Sequence, residues 1–243
     1  MNALPYQYQD YIEVRERLET GLLSQQEVYV LLTGETGTGK TALLRDLRQR
    51  LDRARYRICY FSEARKLSAA SLVRILAKQL RVRPSLRHAE SLDSLTRALN
   101  DEPQQLLLCL DEAQELPDET LSEVRSLAEY DLDGRRPLQV LFSGLPDLRS
   151  ELQARAPLWR RIVVREELTG LRFDEIPAFL EHHFSAAEAR RLHEEALRLI
   201  FEQARGAPGR ILPMVRTVLQ KLPGKGRIEA AALEEILHQW ELA

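Results

Sequence analysis

Two short stretches of this chain carry residue types that can handle a polyphosphate. The first, Gly34-Glu35-Thr36-Gly37-Thr38-Gly39-Lys40-Thr41, spreads three glycines along a loop and ends it with a lysine and a hydroxyl. A triphosphate is held by backbone N–H groups converging from several directions, which only a loop poor in side chains allows. Gly34, Gly37 and Gly39 supply that access, and Glu35, Thr36 and Thr38 complete the loop. Lys40 adds a cation for the β and γ groups, and the Thr41 hydroxyl suits Mg²⁺, so the cofactors expected are ATP and Mg²⁺. The second stretch, Asp111-Glu112, closes the apolar run Leu106 to Leu110 with two adjacent carboxylates. Asp111 suits the same Mg²⁺, directly or through water, and Glu112 can polarise the water that attacks the γ-phosphate. Neighbouring residues at a strand end point in different directions, so the two acids can serve metal and water separately. Each stretch alone has a plainer reading, a glycine turn and a pair of solvated acids; together they point to nucleotide hydrolysis.

Positioning these residues requires a strand, a loop and a helix in that order. Val28 to Leu32 is an apolar run of strand length, and after the loop Leu43, Leu44, Leu47 and Leu51 fall at helical spacing. A helix beginning near Lys40 turns its free N–H groups and positive dipole end toward the phosphates. Around this unit the pattern predicts a helix over Tyr6 to Gly21, ended by the glycine. It predicts further strands over Arg57 to Ser62, Leu106 to Leu110, Leu138 to Ser143 and Arg161 to Arg165. Helices are expected over Ser68 to Leu80, broken by Pro84, over Ser91 to Leu99, and after Asp118, which can cap a segment holding Leu121, Val124 and Leu127. Strands alternating with helices predict an α/β domain with a five-stranded parallel sheet covered on both sides and a ligand beyond the carboxyl ends of the strands. Residues 174–242 show only helical segments. Ser185 to Glu188 reads as a capping box, Gly206 as a helix stop, Pro208 as a helix start and Pro223 to Gly226 as a turn. The expected domains are 1–168, αβα and nucleotide-binding, and 169–243, all-helical.

Composition narrows the function classes. With 243 residues, 44% apolar and 30% charged, the chain can bury a full core and reads as globular. A net charge of −2 gives no whole-molecule field toward DNA or anionic lipid, so any nucleic-acid contact must come from a local patch. Cys59 and Cys109, each in a short apolar run, imply neither a disulfide framework nor a metal site. No signal sequence and no run of bilayer-spanning length is evident, so the chain is expected to be cytoplasmic, with no membrane partner.

Beyond these two stretches, Asp111-Glu112-Ala113-Gln114-Glu115-Leu116, Phe142-Ser143-Gly144-Leu145-Pro146-Asp147-Leu148 and Leu158-Trp159-Arg160-Arg161-Ile162 follow in order. The chain resembles the AAA+ ATPases, in the branch that groups ExeA-type secretion ATPases with TnsC-like and TniB-like regulators of DNA transposition. The resemblance implies strand order 5-1-4-3-2, a helical lid, and ATP bound between neighbouring subunits of a ring or filament. Ser143 resembles the sensor-1 residue that helps orient the attacking water, although Leu145 stands where relatives often carry a polar residue. Arg160 or Arg161 resembles the arginine finger, which acts on a neighbour's γ-phosphate and is worth about 10³ to 10⁵ in rate. Gly206-Ala207-Pro208-Gly209-Arg210 resembles the sensor-2 segment of the lid. Many secretion-type relatives have arginine directly after the proline, whereas here Gly209 intervenes, and one helical step turns Arg210 by about 100°. Ser62 can be read as a contact that holds Glu112 off the water or as a plain loop serine.

Three basic clusters invite a nucleic-acid reading. Arg45, Arg48, Arg50, Arg53, Arg55 and Arg57 mostly occupy the solvent face of the first helix after the loop. Arg65 with Lys66, and Arg81, Arg83 and Arg87 with His88, follow the second strand and its helix, the part of related rings that lines the pore. Phosphate contacts there would be salt-sensitive and indifferent to sequence. The function expected is an oligomeric ATPase that binds duplex DNA and regulates a transposase. A secretion-associated ATPase, a nucleotide-gated signalling switch and a small-molecule kinase are the competing readings.

Overall fold

A computed structural model of the chain describes residues 5–24, 28–83, 85, 87–129, 138–224 and 226–241. Pro84, expected to break a helix, and Lys225, inside the expected turn, lie outside them. The chain divides into two compact units. One comprises Val14–Gly34 and Lys40–Glu167, the other Met1–Glu13, Glu35–Gly39 and Leu168–Ala243.

The first unit is built on a five-stranded sheet of β1 (Tyr29–Gly34), β2 (Tyr56–Phe61), β3 (Gln105–Leu110), β4 (Leu138–Gly144) and β5 (Ile162–Leu168). Their order is β2-β3-β4-β1-β5, with β2–β3, β3–β4 and β4–β1 parallel. The helices between them are α2 (Lys40–Arg50), α3 (Ala69–Gln79), α4 (His88–Asp101), α5 (Asp118–Ala128), α6 (Asp147–Gln153) and α7 (Ala156–Trp159). Every residue of β1, β3 and β4 is buried, as expected of central parallel strands covered on both faces, while β2 and β5 are partly open. Tyr29, Leu31, Leu106, Leu108, Val140 and Phe142 enter one core with Leu72, Leu76, Val124 and Leu127 of α3 and α5. Val30, Leu32, Leu107 and Leu141 alternate with them on the other face and are buried too.

Register puts the chemistry on one edge. Leu32 lies opposite Ser143 and Leu110 opposite Phe142, so Gly34, Asp111 and Ser143 leave the sheet at neighbouring strand ends. The sequence-based bounds hold to within a few residues, with two instructive differences. The first helix, α1 (Gln9–Leu23), runs through Gly21 rather than stopping there. A Cβ at that position would come within 2.6 Å of Val164 Cγ2, so this glycine serves close helix–strand packing instead of a helix end. Asp118 is not a cap: Pro117 holds the N-cap position, and the Asp118 carboxylate accepts from Arg155 at 2.5 Å.

The other unit gathers α8 (Ile176–His183), α9 (Ala186–Ala189), α10 (Glu194–Ala204), α11 (Pro208–Lys221) and α12 (Ala230–Glu241). Ser185 and Glu188 form the expected capping box, and Pro208 is the first residue of α11. Helix α10 ends on Arg205 and Gly206, both with positive φ. Close backbone approach explains Gly206 and Gly170: a Cβ on the first would stand 2.6 Å from Leu171 O, and on the second 2.5 Å from Gly206 O. Asp10 of α1 ties down the start of this region, its Oδ2 accepting from Thr169 N at 2.7 Å, Thr169 Oγ1 at 3.0 Å and Gly170 N at 3.3 Å. Among the described residues no helix is long and apolar enough to cross a membrane.

Candidate functional site

Asp111 is a buried acid with a full set of donors. It is 2% exposed, and both of its oxygens are filled. Oδ2 accepts from Thr41 Oγ1 at 2.8 Å and from Tyr60 OH at 2.9 Å; Oδ1 accepts from Ser143 Oγ at 2.8 Å and from Glu112 N at 3.2 Å. The donors arrive from the first turn of α2, from β2, from β4 and from the next residue of the chain. Burying a carboxylate is costly unless its oxygens are hydrogen-bonded, and these four donors meet that need. Burial, then the Asp111 charge and the hydrogen bond to it, push the Tyr60 hydroxyl well above the ordinary phenol range, so Tyr60 acts as a donor here. A serine or threonine hydroxyl beside a carboxylate is a hard-oxygen donor set, which suits Mg²⁺, and Thr41 with Asp111 fits that ion. Among the described residues no group of three or more His, Cys, Asp or Glu side chains could hold a metal.

Lys40 is buried, and its Nζ donates to Gly34 O at 2.7 Å. Within the loop Gly37 and Gly39 have φ of 86° and 109°, values that a residue with a Cβ adopts only under strain. Thr38 N donates to Glu35 O at 3.3 Å and Thr38 Oγ1 to the same carbonyl at 2.9 Å, while Glu35 and Thr36 are exposed.

Glu112 takes the left-handed conformation, φ 54° and ψ 43°, uncommon outside glycine. Its Oε2 accepts from Gln114 Nε2 at 2.7 Å. Ser62 is exposed and belongs to no hydrogen bond with Glu112 among the described residues; the partner is Gln114.

In the helical unit the loop meets the start of α11. Gly209 N donates to Gly37 O at 2.8 Å, and a Cβ on Gly209 would come within 3.0 Å of both Gly37 Cα and Gly37 O. Arg210 is exposed, with its Cγ 3.4 Å from the place a Gly37 Cβ would take. Gly209 is thus the residue that lets two backbones touch. Tyr8 OH donates to Thr38 O at 2.5 Å, and burial raises its pKa far above the ordinary value.

Arg160 and Arg161 have different environments. Arg161 is ion-paired with Glu129, which also accepts from Tyr29 OH at 3.2 Å and Arg125 Nε at 3.3 Å. Burial by itself would raise the Glu129 pKa, but hydrogen bonds from Arg161 and Arg125 outweigh it and hold the carboxyl below its usual range. Arg160 is exposed, and its side chain makes no ion pair or hydrogen bond among the described residues. The basic clusters divide in the same way. Lys66 is paired with Glu63, and Arg87 with Glu90 at 3.2 Å. Arg65, Arg81 and Arg83 are exposed and, among the described residues, unpaired.

Tyr60, Gln114, Tyr8 and the role of Gly209 were not assigned from sequence. Gln114 sits in the motif after Glu112, but nothing in its type gives its direction, and Tyr60 looks like any residue of a half-buried strand.

Comparison with known proteins places the chain among nucleotide-handling folds. The AAA domain family matches residues 24–152. General secretion pathway protein A of Aeromonas hydrophila is 30% identical over 170 residues, which are 65% of this chain and 30% of that protein. The chain therefore spans less than a third of that relative's length. Among solved structures, the ORC2 protein of Aeropyrum pernix in its ADPNP and ADP complexes superposes with a TM-score of 0.66 at 18% identity, over 96% of this chain and 69% of that one. Drosophila ORC bound to DNA gives 0.69 at 15% identity, over 100% and 64%. Such low identities establish a shared fold.

Proposed function

The chain belongs to the AAA domain family, and from that premise we propose that it binds and hydrolyses ATP with Mg²⁺ as a self-associating motor that engages duplex DNA. The observation that carries the reading is Thr41 Oγ1 on Asp111 Oδ2 at 2.8 Å, which joins the residue after the phosphate loop to the acid ending β3. In the proposed mechanism the amides of residues 34–41 and the Lys40 ammonium receive the phosphates, while Thr41 and Asp111 hold the metal. Bound Mg²⁺ would neutralise charge on the phosphate oxygens. Glu112 accepts a hydrogen bond from the attacking water, Ser143 helps orient that water, and Arg210 is assigned to the nucleotide on the resemblance of residues 206–210 to the sensor-2 segment of a lid, residues 169–243. Arg160, exposed and without a side-chain partner among the described residues, is favoured over Arg161 as the residue offered to a neighbouring subunit's γ-phosphate, in a ring or a filament. The two cysteines are free and buried, and a reducing compartment such as the cytoplasm is the location we assign.

For DNA, the supporting feature is the set of exposed cations Arg65, Arg81 and Arg83, with Arg74 and Lys78 of α3; Lys66 and Arg87 are exposed as well, each ion-paired with a glutamate. Contacts of this type would neutralise phosphates and weaken steeply with salt. Control of a transposase is the role we assign to that DNA-bound state, on the resemblance of residues 111–116 and 142–148. The identity with a general secretion protein supports a second reading, the ATPase of a secretion-associated assembly, in which turnover is indifferent to DNA.

The test is ATP binding and turnover in Lys40→Ala and Glu112→Gln. Lys40→Ala should lose Mg-ATP binding in calorimetry. Glu112→Gln should bind as the parent does, hydrolyse little and remain oligomeric by light scattering. Unaltered turnover in both would overturn the assignment, and turnover unaffected by duplex DNA would favour the secretion reading.

A further inference from the structure

Gln114 uses both ends of its amide. Its Nε2 donates to Glu112 Oε2 at 2.7 Å, and its Oε1 accepts from Leu145 N at 3.2 Å. Only one orientation of the amide satisfies a carboxylate on one side and an N–H on the other. The space for it is made by Gly144, where a Cβ would collide with Gln114 Oε1 and stand 2.8 Å from Leu148 Cδ2. Glu112, for its part, holds a left-handed backbone that costs on the order of 1 kcal/mol and persists only where its surroundings fix it.

A single stretch, residues 143–145, therefore grips both acids. Ser143 Oγ holds Asp111 directly, and Leu145 N holds Glu112 through Gln114. The alternatives for Glu112 are weaker: Ser62 is exposed and contributes no bond to it among the described residues. Oε2 accepts from the amide, while Oε1 accepts no hydrogen bond among the described residues.

We propose that Gln114 is the positioning residue for Glu112, fixing which carboxylate oxygen meets the attacking water and coupling that choice to the main chain after Ser143. This inference rests on the reading of Glu112 as the group that polarises the water. Gln114 touches neither phosphate nor metal in this scheme, so its loss acts on the chemical step and not on nucleotide affinity. Partners one shell removed from a reacting group typically change activity by about 10- to 100-fold.

The experiment measures kcat and KM for ATP in the full chain with Mg²⁺, for the parent, Gln114→Ala, Gly144→Ala and the double variant. Binding of a slowly hydrolysed analogue and the melting temperature are recorded on each. Gln114→Ala should lower kcat about 10- to 100-fold with KM and analogue affinity within about twofold. Gly144→Ala should reproduce that loss, because its Cβ evicts the amide, and the double variant should fall no lower than the worse single, since neighbours acting through one contact are not additive. A parent that hydrolyses ATP together with an unchanged kcat in Gln114→Ala overturns this inference and leaves the hydrolysis reading standing. Losses that multiply in the double variant, or a KM that rises with kcat unchanged, overturn it as well. A parent with no ATP turnover overturns both.

Discussion

The end of β3 and the meeting of the phosphate loop with α11 are both contacts around a nucleotide motif, but they are made of different material. At the first, three hydroxyls and an amide converge on one carboxylate, and every donor but the last is a side chain chosen for its oxygen. At the second, the bond runs from Gly209 N to Gly37 O, and the side chains matter by being missing. A site assembled from side chains tolerates the loss of one donor because others remain. A junction of two backbones has no substitute once a Cβ is added. The first therefore fails by degrees through its partners and outright through its centre, whereas the second fails sterically.

The largest effect should come from the shared centre. Asp111→Ala removes the acceptor of four donors and the carboxylate assigned to Mg²⁺. Loss of groups one shell out from a metal commonly costs 10- to 100-fold, so the ligand itself should cost more than about 10²-fold in turnover. A coupled phosphate-release assay across Mg²⁺ concentrations checks this. Activity recovered at high Mg²⁺ would mean that Asp111 tunes affinity rather than supplying an indispensable ligand.

The two regions were unequally legible before folding, for the same physical reason. Lys40, Thr41, Asp111 and Glu112 stand out because their spacing after two apolar runs suits one polyphosphate and its metal, and the alternation of strands and helices predicts the sheet that carries them. Gly209 read as an arginine misplaced by one position, and Gly21 as a helix stop, because sequence shows that a side chain is missing without showing what comes close. Tyr60 was hidden differently: a tyrosine on an edge strand is ordinary until the partner strand's register brings its hydroxyl to Asp111.

Adding bulk at the junction tests the backbone contact next. Gly209→Val should push the loop and the start of α11 apart, since even a bare Cβ would sit 3.0 Å from Gly37 Cα and O. A loss of about 1 to 2 kcal/mol in nucleotide binding, a factor of about 5 to 30, is expected. Gly209→Ala should give a smaller loss in the same calorimetric titration. Equal affinity for parent and Gly209→Val would mean that the contact is incidental to binding.

Single donors on Asp111 should matter less, and comparing them sharpens what each does. Tyr60→Phe and Ser143→Ala each delete one hydroxyl, at about 1 to 3 kcal/mol of stability for a bond to a charged acceptor. If both only build the site, turnover should fall equally per unit of lost stability. Ser143 is also assigned the water, so Ser143→Ala should lose about tenfold more kcat than Tyr60→Phe at matched folded fraction, a group that orients the reacting water acting in the transition state. Denaturant melts with kinetics on the same preparations separate the two contributions, and equal kcat values would remove Ser143 from the mechanism.

The smallest expected effect concerns a pair that shows the same contrast between a committed group and an open one. Arg161 is held by Glu129 while its neighbour Arg160 is exposed, so Arg161→Ala should act on folding and Arg160→Ala on turnover in the assembled state. The ion pair is partly exposed and screened, which limits its worth to about 0.5 to 1 kcal/mol. Its pH dependence has a definite sign. The Glu129 pKa is lower folded than unfolded, so its contribution is complete above the ordinary glutamate pKa of about 4.3 and disappears as pH falls through the depressed folded value. The stability gap between the parent and Arg161→Ala should therefore be constant from neutral pH to about 5 and shrink as the pH falls below the ordinary glutamate pKa. Urea melts across that range would expose a gap that persists into acid, in which case Arg161 stabilises through its packing rather than through the charge on Glu129.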